Sequence, residues 1–221
     1  MPAWRVEAGW HTAPAMTEPS DDQLMRAYAA GDAGAFEQLY ARHQAALYRF
    51  VRRLLGSAAA TQAEEVFQDT WLRAIQARRE WQPQGATFRT WLFTLAHHRS
   101  VDILRKSGRE ISISTDDDDG GTWEPEAAPW AGWPAAGSVA EDVAFWRAAG
   151  QRLLDCLDDL PAAQKAVFLL HHEDGLPLAE HAAALELGFE TAKSRLRYAM
   201  SKLRTCMGAY LPVQSPPGVA R

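Results

Sequence analysis

Lys193, Arg195, Arg197, Lys202 and Arg204 stand in one short stretch, ETAKSRLRYAMSKLR, whose single acid is Glu190, although the whole chain carries a formal net charge of −5. Cations at that density call for phosphates or carboxylates. The spacing supplies the geometry: Ala192, Leu196, Ala199 and Leu203 recur at the helical period and form a narrow apolar stripe that seats a helix. Lys193, Arg197 and Arg204 run down one flank, and Arg195 and Lys202 down the other. Ahead of this helix lies a shorter one, LAEHAAALE, opened by Pro177, with Leu178, Ala182 and Leu185 at i, i+4 and i+7. Two short helices joined by a tight connection at Glu186 to Phe189, the second of them basic, make a helix-turn-helix. In such a motif the second helix enters the DNA major groove by its N-terminal residues, where the helix dipole also favours phosphate. Glu190, Thr191, Lys193, Ser194 and Arg197 are the residues so placed. Arginine can pair bidentately with guanine, glutamate can accept from the cytosine amine, and the hydroxyls can bond phosphate or base.

Other chemistries find no foothold. GxSxG, HExxH, phosphate-loop and dinucleotide fingerprints are all missing from the sequence, so no catalytic residues and no cofactor are expected. His171 and His172, close to Glu173 and Asp174, suggest a metal at first sight. Adjacent histidines project to different sides of a helix, unlike the i, i+4 pair a zinc site prefers, so no metal is expected there. The two cysteines, Cys156 and Cys206, are far apart and outside any CxxC pattern; the expectation is two ordinary buried thiols without a disulfide. No apolar run approaches the roughly 18 residues of a membrane span. The opening MPAWRVEAGWHTAPA lacks signal-peptide order, which points to a cytoplasmic protein.

The elements that must position the basic helix can be read along the 221 residues, 47% hydrophobic and 23% charged, a composition suited to one ordinary domain or two small ones. MTEPSDDQLM looks like a natural opening, so Met16 competes with Met1 as the start, and residues 1–19 read as a disordered extension. Ser20 with Gln23 fits a capping box at the head of a first helix that runs to about Ala30. Phe36, Leu39, Tyr40, His43, Leu47, Phe50, Val51 and Leu54 mark a second helix that Gly56 closes. AEEVFQDTWLRAIQARRE gives a third, with Phe67, Trp71, Ala74, Ile75 and Arg78 on one side. The loop WQPQGAT separates it from a fourth, FRTWLFTLAHHRSVDILRK. Strand-like alternation is absent, and the fold class is all-α. Residues 107–142 read as an acidic linker, with Asp116, Asp117, Asp118 and Asp119 followed by glycines and prolines, and with Trp123, Trp130 and Trp133 as unexpected aromatics. Helices resume near Val143: Leu153, Leu154, Leu157 and Leu160 mark one, and Pro161 opens the next, with Val167, Phe168 and Leu170 on its core face. Residues 209–221 read as a disordered tail.

Both halves resemble one family. AEEVFQDTWLRA with FRTWLFTLAHHRSVDILRK is similar to domain 2, and LDDLPAAQKAVFLLHHEDGLPLAEHAAALELGFETAKSRLRYAMSKLR to domain 4, of bacterial RNA polymerase sigma factors of the extracytoplasmic-function class. The resemblance implies sigma domain 2 over residues 20–106 and sigma domain 4 over 143–208. It implies a transcription initiation factor that binds core RNA polymerase, directs it to promoters through −35 and −10 elements and assists melting. Core polymerase would be met on its β′ clamp helices by Glu65, Gln68 and Asp69, and on its β flap by domain 4. The −10 element would fall to the helix carrying Arg89, His97, His98, Arg99, Arg105 and Lys106, with WQPQGAT capturing an unstacked base. The −35 element would fall to the five residues of the basic helix named above. An anti-sigma factor is an implied partner. The sequence departs from the family at His97 and His98, where Arg-Asn is frequent, which opens the way to a pH dependence. It departs again at His181, in place of an aliphatic residue, and at Glu186, in place of the turn glycine. The run Asp116 to Asp119 reads as a mimic of nucleic acid in the polymerase channel. The competing class is a helix-turn-helix regulator that acts without polymerase; the acidic net charge weighs against it, because a self-sufficient DNA binder usually carries a basic balance.

Overall fold

A computed structural model describes residues 18–82, 87–106, 139–174 and 177–210. The N-terminal extension, residues 83–86 of WQPQGAT, the linker with its aspartates and tryptophans up to residue 138, and the tail from residue 211 lie outside the described residues. Every regular element described is helical: α1 (Asp21–Ala29), α2 (Ala33–Leu55), a 3-10 helix (Ser57–Gln62), α3 (Ala63–Gln76), a second 3-10 turn (Ala77–Arg79), α4 (Phe88–Lys106), α5 (Val139–Asp158), α6 (Ala162–Asp174), α7 (Leu178–Ala184) and α8 (Phe189–Cys206). Three boundaries differ from the sequence reading. The third helix tightens into 3-10 geometry after Gln76, α7 stops at Ala184, and α5 begins at Val139 rather than near Val143.

The spine of the N-terminal half is α2, whose Leu39, Leu47, Phe50, Val51 and Leu54 are fully buried. The predicted capping box is present, with Ser20 N–H donating to Gln23 Oε1 at 2.8 Å and Gln23 N–H donating to Ser20 Oγ at 3.3 Å. An aromatic cluster of Tyr28, Phe36, Tyr40, Phe67 and Trp71 ties α1 and α3 to α2. Phe93 of α4 meets Phe50 at 5.3 Å between centroids. The start of α4 is capped twice: Thr87 Oγ1 accepts from Thr90 N–H, and Asp22 Oδ1, reaching over from α1, accepts from Phe88 N–H. Each bond satisfies an amide that a helix start leaves without an intrahelical partner.

Asp21 performs a similar service between α1 and α2. Its carboxylate accepts from Arg42 Nη1 at 3.0 Å and meets His43 Nε2 at 2.6 Å. Burial alone would raise its pKa, but the hydrogen bonds and charges of His43 and Arg42 outweigh this and hold it below the ordinary carboxylate value. A depressed carboxylate contributes stability above the unfolded pKa of about 3.9 that is lost as pH falls through the folded one. Asp21→Ala is therefore expected to destabilise the protein at pH 7 by about 1.5–3 kcal/mol, the range for hydrogen bonds to charged groups. Urea titrations at pH 7 and pH 3 check this, and the difference between variant and wild type should shrink at the lower pH.

In the C-terminal half α8 is the common partner, with α5, α6 and α7 packed around it. Leu157, Leu160, Val167, Leu170, Leu196, Ala199, Leu203 and Met207 form its core. One expectation fails here. Cys156 of α5 and Cys206 at the end of α8 are joined in a disulfide, with Sγ–Sγ 2.03 Å and Cα–Cα 6.0 Å, across a sequence separation of 50. The packing of α5 along α8 makes neighbours of two sulfurs that spacing in the sequence leaves unrelated. A reducing compartment bears on whether the bridge stays closed, not on whether the sulfurs meet.

The two halves touch. α2 packs on α6 and α5, and α4 packs on α7 and α6, so the buried apolar residues of both halves form one continuous cluster.

Candidate nucleic-acid interface

The connection between α7 and α8 departs from the expected residue yet keeps the expected shape. Glu186 takes φ +55, the left-handed region, and Leu187 N–H donates to Ala182 O at 2.8 Å while Glu186 N–H donates to Ala183 O at 3.1 Å. These two bonds are the Schellman termination, which ordinarily places glycine at the left-handed position. The turn after α1 uses the same pair of bonds, with Gly31 at φ +108, Asp32 N–H donating to Ala27 O and Gly31 N–H donating to Tyr28 O. A side chain in the left-handed region is strained by roughly 1–2 kcal/mol. Glu186→Gly is accordingly expected to stabilise the C-terminal half by up to about 1 kcal/mol, the strain relief less the greater entropy lost by glycine. Thermal unfolding of the variant checks the sign.

Beyond the turn, Gly188 is extended and α8 begins at Phe189. Glu190 and Thr191 are exposed, and Lys193, Ser194 and Arg197 are half-buried along the first half of the helix. Lys193 Nζ stands 3.8 Å from Glu190 Oε2, and the Arg197 guanidinium lies over the Tyr198 ring at 5.2 Å. The structure thus gathers all five residues on one end of one helix. Phe189, at the tip and 48% exposed, joins them. A large apolar side chain in that position suits the methyl group of thymine. Arg195 behaves differently: it turns toward α4, and burial lowers its pKa.

The six residues expected on α4 do not share one face, because successive residues of an α-helix turn by about 100°. His98 and Arg105 are exposed together on one side. Arg99 and Lys106 line, with Gln62, Glu65 and Ile103, a cleft toward α3. Arg89 and His97 face the C-terminal half, where they lie within electrostatic reach of His181 and Arg195 respectively. Arg99 is occupied: its Nη2 donates to Glu65 Oε1 at 3.0 Å, and its Nε lies 3.2 Å from Asp69 Oδ2. Asp69 also accepts from Arg73 Nε at 3.0 Å, and Gln68 donates to Glu64 Oε1 at 2.9 Å. The two sets of candidate residues, one on α3 and one on α4, are therefore bridged by Arg99. Leu72 continues the outer face of α3 one turn past Gln68 and is 56% exposed. Trp71 is core, as its place on the apolar stripe implied.

The histidines take their character from burial. It pushes His97 down to about 4, with the charges of His98, Arg195 and Arg105 adding to the effect. His181 and His172 are pushed down to about 4 likewise, and His171 is lowered. At pH 7 these imidazoles are neutral. Among the described residues no three histidine, cysteine, aspartate or glutamate side chains form a group that could hold a metal ion.

Comparison with known proteins agrees with this geometry. The family model Sigma-70 region 2 matches residues 39–110, and Sigma-70, region 4 matches residues 150–203. The chain is 32% identical over 187 residues to the ECF RNA polymerase sigma factor SigK of Mycolicibacterium vanbaalenii, covering 85% of this chain and 89% of that protein. The chain belongs to the ECF RNA polymerase sigma factors. It is 36% identical over 178 residues to SigL of Mycobacterium tuberculosis, covering 80% of this chain and 90% of that one. Among solved structures, CnrH in complex with the cytosolic domain of CnrY is similar, with TM-score 0.57, 25% identity and coverage of 86% of this chain and 99% of that one. So is the sigma factor RpoE in complex with the anti-sigma factor NepR from Bartonella quintana, with TM-score 0.55, 27% identity and coverage of 78% and 96%. In sigma-factor terms α3 and α4 belong to region 2, and α5 through α8 make up most of region 4. The protein is a transcription initiation factor of the RNA polymerase machinery. No helix among the described residues is long and apolar enough to cross a membrane.

Proposed function

We propose that this sigma factor binds core RNA polymerase through the outer face of α3 and reads promoters with α8 and α4. The observation that carries the reading is the α7–turn–α8 unit, whose Schellman termination sets the N-terminal end of a basic helix outward. Glu190, Thr191, Lys193, Ser194 and Arg197 read the −35 element in the major groove. Arg105 and Lys106 supply exposed charge and His98 an exposed ring to the −10 strand, and Arg89 and His97 complete that face once the C-terminal helices move away. Arg99 holds α4 to α3 and so acts on the −10 face by position as much as by contact. Glu65, Gln68 and Asp69 meet the β′ clamp helices, with Leu72 as an apolar addition. Region 4 meets the β flap. The domains follow as residues 20–106 and 143–208, the second preceded by the first turn of α5. An anti-sigma factor is a further partner, as NepR is for the similar RpoE, and the protein works in the cytoplasm with the polymerase.

The deciding experiment is transcription by purified core polymerase with and without the protein on a genomic fragment library, mapping 5′ ends. Starts that need the protein and share two upstream elements are the expected result. Tight DNA binding by the protein alone, without new starts or co-elution with core, would point to a free-standing regulator instead.

A further inference from the structure

Two acids open α1, and they serve different neighbours. Asp21 holds Arg42 and His43 of α2, while the capping box of Ser20 and Gln23 secures the helix start. Leu24, Met25 and Tyr28 are buried. The helix is therefore a fixed element of the N-terminal half rather than a frayed end.

Asp22 reaches to α4. Its Oδ1 accepts from Phe88 N–H at 3.2 Å, across a sequence separation of 66. Phe88 is the first residue of α4, and its amide is one of those a helix start leaves open. A carboxylate in that position also faces the positive end of the helix dipole. Thr87 Oγ1 already supplies a local cap by accepting from Thr90 N–H at 3.2 Å, so α4 can begin without Asp22. What Asp22 adds is a fixed position of that beginning relative to α1.

The chain enters α4 from WQPQGAT, and both stems of that segment are held by the same helix. On the incoming side the 3-10 turn Ala77–Arg79 packs on α1, with the Arg78 guanidinium 5.4 Å from the centroid of the Tyr28 ring. Trp81 N–H then donates back to Ala77 O at 2.8 Å. On the outgoing side stands Phe88, 1% exposed. The Trp81 and Phe88 rings meet edge to face at 6.0 Å between centroids, and Phe88 also meets the ring of His43, the partner of Asp21, at 5.9 Å. The two stems are thus pinned to each other and to α1.

Promoter melting places a demand on this mount. An unstacked base gives up its neighbours, and protein contacts must offset that cost. Contacts made by backbone that orders only on binding offset less of it, because the entropy of ordering is subtracted. A mount ordered before DNA arrives avoids the subtraction.

We propose that Asp22 is a positioning residue for promoter melting: by fixing the first turn of α4 to α1, it holds the −10 face in the geometry that takes up an unstacked base. The inference rests on the assignment of α4 and WQPQGAT to the −10 element. In this role Asp22 acts through the Phe88 amide rather than by touching DNA. Its effect is confined to the step in which the strands separate, and an uncharged acceptor of the same shape serves in its place.

The test compares the full chain as wild type, Asp22→Ala and Asp22→Asn, each with saturating core polymerase, on two templates. One is a duplex promoter mapped by its 5′ ends; the other is the same promoter with its −10 element held open by mismatched bases. Asp22→Ala should initiate about five- to tenfold less than wild type on the duplex, the factor that one lost cap bond carries. Thymines of the −10 element should lose permanganate reactivity in step. On the open template Asp22→Ala should match wild type, because opening no longer limits the rate there. Asp22→Asn, whose side-chain oxygen still accepts from Phe88 N–H, should match wild type on both. Undiminished initiation by Asp22→Ala on the duplex would overturn the proposal. So would an equal loss on both templates, which is what poorer folding or weaker polymerase binding gives, and circular dichroism at the assay temperature tells those two apart. A loss in Asp22→Asn as large as in Asp22→Ala would overturn it too, since charge rather than the bond would then be at work. The assignment of α4 is judged separately: if Arg105→Ala leaves holoenzyme binding to a −10 single strand unchanged, that assignment falls, whatever Asp22→Ala does on the duplex.

Discussion

Initiation from a promoter that carries the −35 element should fall by about ten- to a hundredfold when Arg197 is replaced by alanine, the loss of one good base contact worth roughly 1–3 kcal/mol. The measurement is run-off transcription with saturating core polymerase on the native promoter and on one with a scrambled −35 element. Wild type should distinguish the two templates, and Arg197→Ala should nearly cease to. The reason for choosing this residue lies in its setting. It sits in the first half of α8, on the flank shared with Lys193, and its guanidinium rests over the Tyr198 ring, a cation–π contact that limits its wandering before DNA arrives. Arg195, two positions earlier, is turned to α4 and partly buried. Arg204, exposed in the last turn, serves as the control: its removal should weaken binding to any sequence and lower the salt slope by about one. Equal transcription by Arg197→Ala and wild type on both templates would move the reading of bases to the other flank of α8.

What the sequence made legible and what it hid divide along a physical line. The helices of the N-terminal half could be read because each buries one stripe at the 3.6-residue period, and α2 shows this in Leu39, Leu47, Phe50, Val51 and Leu54. The capping box at Ser20 and Gln23 is a local device written in four residues. The basic face of α8 is likewise local. Interactions that close over long stretches of chain leave no periodic trace. Arg99 bonds Glu65 from 34 residues away, so a residue expected at DNA also braces α4 to α3. Asp158 bonds Ser57 across 101 residues. Even Glu186 illustrates the limit: the turn glycine is missing from the sequence, yet the packing of α7 on α8 imposes the left-handed conformation on a residue that does not favour it.

The disulfide is the largest such omission, and its removal has the largest expected effect on stability. Reducing the bridge between Cys156 and Cys206 frees a loop whose ends are separated by 50 residues in sequence, and the chain-entropy relation puts the loss at about 4 kcal/mol, with about 2–4 kcal/mol typical of measured bridges. A region of this size has a total stability of roughly 5–15 kcal/mol. The melting temperature of the C-terminal half should then fall by roughly 10–20 °C on reduction. Calorimetry of oxidised and reduced protein measures the shift, and thiol titration in denaturant verifies the two states. The helices themselves should persist when reduced, because Leu157, Leu203 and Met207 still bury the seam between α5 and α8 around the sulfurs. Cys156→Ala with Cys206→Ala should melt near the reduced wild type and ignore the reductant. If oxidised and reduced protein melt together, the bridge does not constrain the unfolded chain as its loop length requires, and the stability of region 4 rests on its apolar core alone.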